Sequence, residues 1–175
     1  MLLAELGDRI CILGPSGSGK STLACAIARK RGLTAIHLDQ MHHESGSNWV
    51  PRPYAEFQQL HDEAITGERW VMDGNYSKLF PQRFARATGM ILLDVSTATS
   101  LLRYVRRSLF ERERAGALEG GFDSVKWNIL HHILAVSPKN RRRYAAIYEQ
   151  VSLPKLRLDS PRALAVCYRE WGLER

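Results

Sequence analysis

The sequence predicts an α/β domain, a parallel sheet whose strands are joined by crossover helices. Two observations carry this reading. Short apolar runs recur along the 175-residue chain with helical patterns filling the gaps between them. The first run, Arg9-Ile10-Cys11-Ile12-Leu13, opens directly into a glycine-rich loop and then a helix-forming stretch. In chain order the strands are Arg9–Leu13, Thr34–Leu38, Trp70–Met72, Met90–Val95 and Lys155–Leu158. The gaps predict helices over Lys20 to about Lys30, Tyr54–Ile65, about Lys78 to Arg86, and Ser100 to about Arg112. Three more follow, over Ser124–Val136, Pro138–Gln150 and Arg162–Trp171. Ser137-Pro138 is a start signal, a capping residue followed by proline at the first helical position. Glycine breaks at Gly116 and Gly120-Gly121 flank a charged segment and mark a short lid over about 109–122.

Composition bounds the class. With 45% hydrophobic and 25% charged residues, the chain supports one complete core, hence a single domain over 1–175. It holds no run of about 18 consecutive apolar residues, and its first strand begins too early to leave room for a signal peptide. The expectation is a soluble, cytoplasmic protein with no membrane partner. Cys11, Cys25 and Cys167 are isolated and lack C-x-x-C spacing, so they read as small buried hydrophobes rather than a zinc lid or disulfide framework. The formal charge of +7 implies affinity for anions, a property shared by nucleotide enzymes and nucleic-acid binders.

The loop Gly14-Pro15-Ser16-Gly17-Ser18-Gly19-Lys20-Ser21-Thr22 satisfies G-x-x-x-x-G-K-[ST] and is a phosphate cradle. Its glycines let the backbone turn tightly with amide N–H groups pointing inward, and Lys20 supplies a point charge for β- and γ-phosphates. The Ser21 hydroxyl can hold Mg²⁺, and the helix that opens at Lys20 adds its N-terminal field. Gly14, Ser16, Gly17, Ser18, Gly19, Lys20, Ser21 and Thr22 are therefore the expected ATP-binding residues.

In an open parallel sheet the ligand sits outside the carboxyl ends of the strands, so acidic residues there are informative. Asp39 follows Ala35-Ile36-His37-Leu38, Asp73 follows Trp70-Val71-Met72, and Asp94 ends Met90-Ile91-Leu92-Leu93. Asp73, on an apolar strand and before the turn Gly74-Asn75-Tyr76, reads as the second Mg²⁺-holding residue or as a turn aspartate. Asp39 reads as the carboxylate that orients an acceptor hydroxyl or takes its proton, or as another turn residue, and Asp94 as structural.

Taken in order, Gly14–Thr22, His37-Leu38-Asp39, Trp49-Val50-Pro51 and Trp70-Val71-Met72-Asp73-Gly74-Asn75-Tyr76 resemble the adenylate-kinase-like proteins called DNA topology modulation proteins. The likeness spans nearly the whole chain. It implies the P-loop kinase fold of the nucleoside monophosphate kinase and shikimate kinase type, three-layered, with a five-stranded parallel sheet in the order 2-3-1-4-5. In that order the Asp73 strand lies beside the phosphate-loop strand. Asp73-Gly74 matches the start of the Asp-Gly-Phe-Pro-Arg motif of adenylate kinases, whereas Asn75, Tyr76 and Ser77 depart from it, and the motif's phosphate-gripping arginine is missing. Asp39 matches the substrate carboxylate of shikimate- and gluconate-kinase-like enzymes, and adenine would lie near Asp159-Ser160-Pro161-Arg162.

Arg103 shares a helical face with Arg106 and Arg107, and Arg112 and Arg114 continue the basic run into the lid. The resemblance implies that such arginines, Arg103 and Arg107 among them, balance transition-state charge; a plain solvated face is the other reading. Arg141-Arg142-Arg143 falls in the first turn of a predicted helix, where cations oppose the helix dipole, and suggests a second anion site, a nucleic-acid contact or a solvated turn. His42-His43-Glu44 lacks the one-turn spacing of a zinc pair and reads as an acceptor-site loop. Trp49, Trp70, Trp127 and Trp171 read first as core or interface anchors, and Trp49 is the one that could instead wall an acceptor pocket. The sequence thus points to transfer of the γ-phosphoryl of Mg-ATP to a small acceptor, a nucleoside monophosphate or a hydroxyl-bearing metabolite, with Lys20, Asp39, Arg103 and Arg107 acting on the reaction. The rival is an ATP-binding regulatory module that contacts nucleic acid through its arginines.

Overall fold

β-Branched and leucine-rich runs bounded by glycine and proline form five strands in the computed structural model, which describes residues 1–44, 46, 47, 49–102 and 137–174, the side chains of 137–139 apart. They are β1 Arg9–Leu13, β2 Thr34–His37, β3 Trp70–Asp73, β4 Gly89–Leu93 and β5 Lys155–Leu158. Every pairing is parallel, and the order is β2-β3-β1-β4-β5. The helices are α1 Lys20–Arg31, α2 Leu38–His42, α3 Tyr54–Ala64, α4 Phe80–Arg86, α5 Ser137–Gln150 and α6 Pro161–Glu170, and residues 97–102 are also helical.

Alternation along β1 divides the core. Ile10 and Ile12 face a layer containing Leu23 and Ile27 of α1 with Leu164 and Trp171 at α6. Cys11 faces Phe57 of α3 with Trp70 and Met72, and Leu13 faces Phe80 and Tyr144 of α5. Strands covered on both faces are apolar throughout, which is why the sequence runs read as continuous rather than alternating. All four residues of β3 and all five of β4 are buried. Gly32 ends α1 in the left-handed conformation at φ +63°, and the Ser160 side chain caps α6 by accepting from the Ala163 amide at 3.1 Å.

Several expected boundaries shift. β2 stops at His37 because Leu38 enters the short helix α2, so Asp39 lies in a helical first turn and not in a loop. β4 stops at Leu93, since its neighbour β1 ends at Leu13 and turns away into the glycine loop. Arg141-Arg142-Arg143 sits in the second turn of α5 rather than the first, because that helix already starts at Ser137, and the dipole conflict is correspondingly weaker. The helix predicted from Ser100 begins at 97, and its remainder, the Ser124–Val136 helix, the 109–122 lid, Arg103 and Arg107 lie outside the described residues. Among the described residues no helix is long and apolar enough to cross a membrane.

Candidate functional site

The glycine loop leaves the end of β1 at the centre of the sheet. Gly14 adopts φ +150°, and a Cβ there would stand 2.5 Å from the Leu93 carbonyl oxygen, so the loop can leave β1 this close to β4 only through glycine. The chain then turns through Ser16, Gly17, Ser18 and Gly19, with the Ser18 amide bonded to the Pro15 carbonyl at 3.2 Å. Lys20, Ser21 and Thr22 open α1, so they stand at the helix N-terminus, where the helix dipole is positive. The Lys20 ammonium lies across the loop and donates to the Pro15 carbonyl at 3.0 Å.

Asp73 ends β3 directly beside this loop, in register with Ile12 of β1 and His37 of β2. Its carboxylate is almost fully buried, at 4% exposure, so both oxygens must find donors within the protein. One oxygen accepts the Ser21 hydroxyl at 2.5 Å and the other accepts from His37 Nδ1 at 2.7 Å. That bond puts the proton of a neutral His37 on Nδ1 and leaves Nε2 as the acceptor of the Cys25 thiol, 3.5 Å away. Burial raises the Cys25 pKa, with the Asp73 charge adding to it, so this sulfur stays a protonated thiol at neutral pH. Ser21 and Asp73 present adjacent hard oxygens beside the glycine loop, the donor type Mg²⁺ takes, and could hold such an ion.

The turn after Asp73 ties both halves of the site together. Gly74 has φ +129°, and a Cβ on it would lie 2.7 Å from Leu38 Cβ, so only glycine lets the turn close on α2. Asn75 grips the glycine loop twice: its amide donates to the Gly14 carbonyl at 2.8 Å and its oxygen accepts the Gly14 N–H at 3.1 Å. Tyr76 donates its hydroxyl to Asp39 at 2.7 Å. Burial, reinforced by the Asp39 carboxylate, pushes the Tyr76 phenol pKa far upward, so it remains a donor at any physiological pH. Underneath, Arg83 of α4 is fully buried, donates to the Gly74 carbonyl at 2.8 Å and lies over the Phe80 ring with 5.4 Å to the centroid. Burial lowers its pKa, opposed by Cys11, Asp73 and Tyr76. Its Nε and Nη2 find no hydrogen-bond partner among the described residues.

Asp39 is exposed, and Tyr76 occupies one of its oxygens. The Asp39 carbonyl accepts from His43 Nδ1 at 2.8 Å, and His42 Nδ1 lies 3.3 Å from His43 Nε2. A neutral His43 therefore accepts at Nε2 from His42, which leaves His42 Nε2 as a bare acceptor. Burial lowers the His42 pKa, with His43 acting in the same direction against Asp39.

Asp94 does not join this cluster. It is buried at 2% exposure and pairs with Arg141 and with Arg157, the latter at 2.5 Å. Arg141 is thus engaged with a carboxylate, while Arg142 and Arg143 are exposed. The three cysteines are free, and burial pushes the Cys11 and Cys167 thiols up to about 12. Sequence reasoning missed His37, Asn75 and Arg83. The signal for His37 was its place at the end of the strand next to the Asp73 strand, and for Asn75 its place two residues past Asp73.

No family model matches the chain, and no curated protein matches it. Among solved structures it is similar to a gluconokinase from Sinorhizobium meliloti 1021, with a TM-score of 0.57 and 16% identity over 95% of this chain and 90% of that one. The chain has the P-loop kinase fold, its sheet in the order 2-3-1-4-5 with helices on both faces.

Proposed function

We propose that this protein is a Mg-ATP-dependent phosphotransferase that moves the γ-phosphoryl group to a hydroxyl of a small molecule. The observation that carries the reading is the Ser21–Asp73 contact at 2.5 Å at the edge of the glycine loop. Ser21 and Asp73 would hold Mg²⁺, which when bound supplies charge neutralisation to the phosphate oxygens. The amides of residues 16–21 and the Lys20 ammonium hold and orient the phosphates. His37 holds one Asp73 oxygen and leaves the other on Ser21. Asp39 keeps one oxygen on Tyr76 and uses the other to receive the proton of the acceptor hydroxyl. The acceptor oxygen then bonds to the γ-phosphorus as its bond to the β–γ bridging oxygen breaks, and ADP leaves. Arg103 and Arg107 are assigned, on the sequence pattern, to balancing charge in that step. Membership of the topology modulation group and a cytoplasmic location belong to this same reading and rest on the quoted motifs and the composition.

Calorimetry with Mg-ATP on the wild type and on Lys20→Ala tests the assignment. Lys20 acts on ligand charge, so the variant stays folded by circular dichroism and loses Mg-ATP affinity and ADP release. Unchanged affinity in the variant removes the glycine loop as the nucleotide site.

A further inference from the structure

We infer that His37 is the positioning residue of the metal site, holding Asp73 so that the Ser21 hydroxyl turns its lone pairs, and not its proton, toward a bound cation. This rests on the kinase reading above and deepens it at the same site. Four side chains close a hydrogen-bonded ring over three elements. Ser21 donates to one Asp73 oxygen at 2.5 Å, His37 Nδ1 lies 2.7 Å from the other, and His37 Nε2 lies 3.5 Å from the Cys25 sulfur. Ser21 and Cys25 stand one turn apart on α1, so the ring starts and ends on one face of that helix. His37 and Asp73 are partners in the register of the parallel strands β2 and β3, which sets their side chains next to each other on one face of the sheet.

The protons in the ring run in one direction. A carboxylate only accepts, so both neighbours donate to Asp73: Ser21 gives its single hydroxyl proton, and a neutral His37 carries its proton on Nδ1. His37 Nε2 is then an acceptor, and the Cys25 thiol, which burial keeps protonated, supplies the donor. With its proton on Asp73, the Ser21 hydroxyl has only lone pairs for a further partner. A cation takes a hydroxyl in that orientation, whereas a proton turned outward repels it.

Both oxygens must be held for this to work, because the terminal torsion of an aspartate is soft and one bond does not fix it. The His37 and Asp73 side chains are only 10% and 5% exposed, so bulk water is a poor substitute for either partner. The adjacent Ile36, Leu38 and Met72 pack into the apolar core and carry no side-chain donor that could replace the imidazole. Without His37 the carboxylate turns, and Ser21 loses the fixed acceptor that aims its proton. The aim of Ser21 therefore depends on β2, an edge strand of the sheet, and not on α1 alone.

The test is calorimetry of the β,γ-imido analogue of ATP on the full chain, with Mg²⁺ titrated in one series and removed by EDTA in another. His37→Leu is expected to raise the Mg²⁺ concentration for half-maximal tight binding by about 10- to 100-fold, the range for a group that orients a metal ligand. Its affinity for the analogue in EDTA changes by less than about threefold. His37→Asn, whose amide places a donor near the Nδ1 position, restores most of the loss, whereas His37→Gln, whose donor reaches the Nε2 position, does not. That contrast decides the matter even where His37→Leu fails to fold. Long-range proton–nitrogen spectra of the wild type at mildly alkaline pH should show His37 with its proton on Nδ1. An unchanged Mg²⁺ requirement in a folded His37→Leu, an equal loss with and without Mg²⁺, a glutamine variant as good as the asparagine one, or a proton on Nε2 alone overturns the inference and leaves the kinase reading standing. A wild type that binds the analogue identically with and without Mg²⁺ removes the Ser21–Asp73 metal site, and one that binds neither ATP nor the analogue removes the kinase reading; the inference falls with either.

Discussion

Replacing Asn75 should loosen the phosphate loop without touching any group that meets phosphate. Its side chain makes two hydrogen bonds to one residue, 2.8 Å to the Gly14 carbonyl and 3.1 Å from the Gly14 N–H. Gly14 is buried, so both main-chain groups lose their partner in Asn75→Ala. Each net bond contributes about 1 kcal/mol, giving a loss of about 2 kcal/mol, which urea denaturation reads as a lower midpoint at constant slope. If the whole of that energy goes into keeping the loop in its binding conformation, Mg-ATP affinity falls by up to about 30-fold, since only the competent fraction binds. Calorimetry with a non-hydrolysable analogue is the assay, and a loss between about 3- and 30-fold is expected. Asn75→Asp is the sharper variant. It keeps the acceptor for the Gly14 N–H but turns a carboxylate oxygen toward the Gly14 carbonyl and adds a negative charge beside the nucleotide phosphates, so it should bind more weakly than the alanine variant. An aspartate variant that binds Mg-ATP as tightly as the wild type would refute the clamp.

Asp73→Asn should raise the Mg²⁺ concentration needed for tight nucleotide binding, because it weakens the buried carboxylate shared by Ser21 and His37. Asp94→Asn should leave that requirement unchanged and cost about 1–3 kcal/mol of stability, the worth of charge-assisted bonds to Arg141 and Arg157; Mg²⁺ titrations in which the two variants exchange behaviour contradict the assignment. Stability should also fall as pH drops below about 6.5, where an unfolded histidine takes up a proton. His61 is fully buried and resists that proton, through burial first, which outweighs the opposing Asp62 hydrogen bond, with the Arg83 charge adding to burial, so the unfolded chain binds more protons and unfolding becomes easier by up to about 1.4 kcal/mol per pH unit per such group. His61→Phe should flatten the acid limb of stability against pH, and an identical limb in the variant removes His61 as its source.

Local pattern was enough to find the sheet and the glycine loop, because both are written in contiguous residues: an apolar run sets a strand, and glycines at fixed offsets set the cradle. It also placed Asp73 at a strand end, while Asp39, expected there too, lies two residues past β2 in the first turn of α2. What local pattern could not supply was register. His37 matters because β2 and β3 pair so that it falls opposite Asp73, and nothing in Thr34–His37 itself encodes that pairing. Arg83 reads as one more helical arginine until α4 folds it beneath Gly74. The helix α2 escaped notice because Leu38–His42 is only five residues long, too short for any periodicity to show, and its apolar anchor Leu38 continued the preceding strand pattern. Ser77 stands where the Asp-Gly-Phe-Pro-Arg motif has its arginine, and the preceding Asn75 and Tyr76 bind protein groups.

On the proposed reading, the strand order lets one short turn serve both substrates. With β3 inserted between β2 and β1, its carboxyl end opens on two neighbours at once, the Asp39 side across β2 and the glycine loop across β1. In a sheet of order 3-2-1 the same residues would reach only one of them. Asp73 therefore meets Ser21 on one side and His37 on the other, and Asn75 and Tyr76 divide in the same way between Gly14 and Asp39. The buried Arg83 holds the main chain of this turn at Gly74, the point from which both arms diverge. On the proposed reading, changes in the Asp73–Tyr76 segment disturb nucleotide and acceptor binding together.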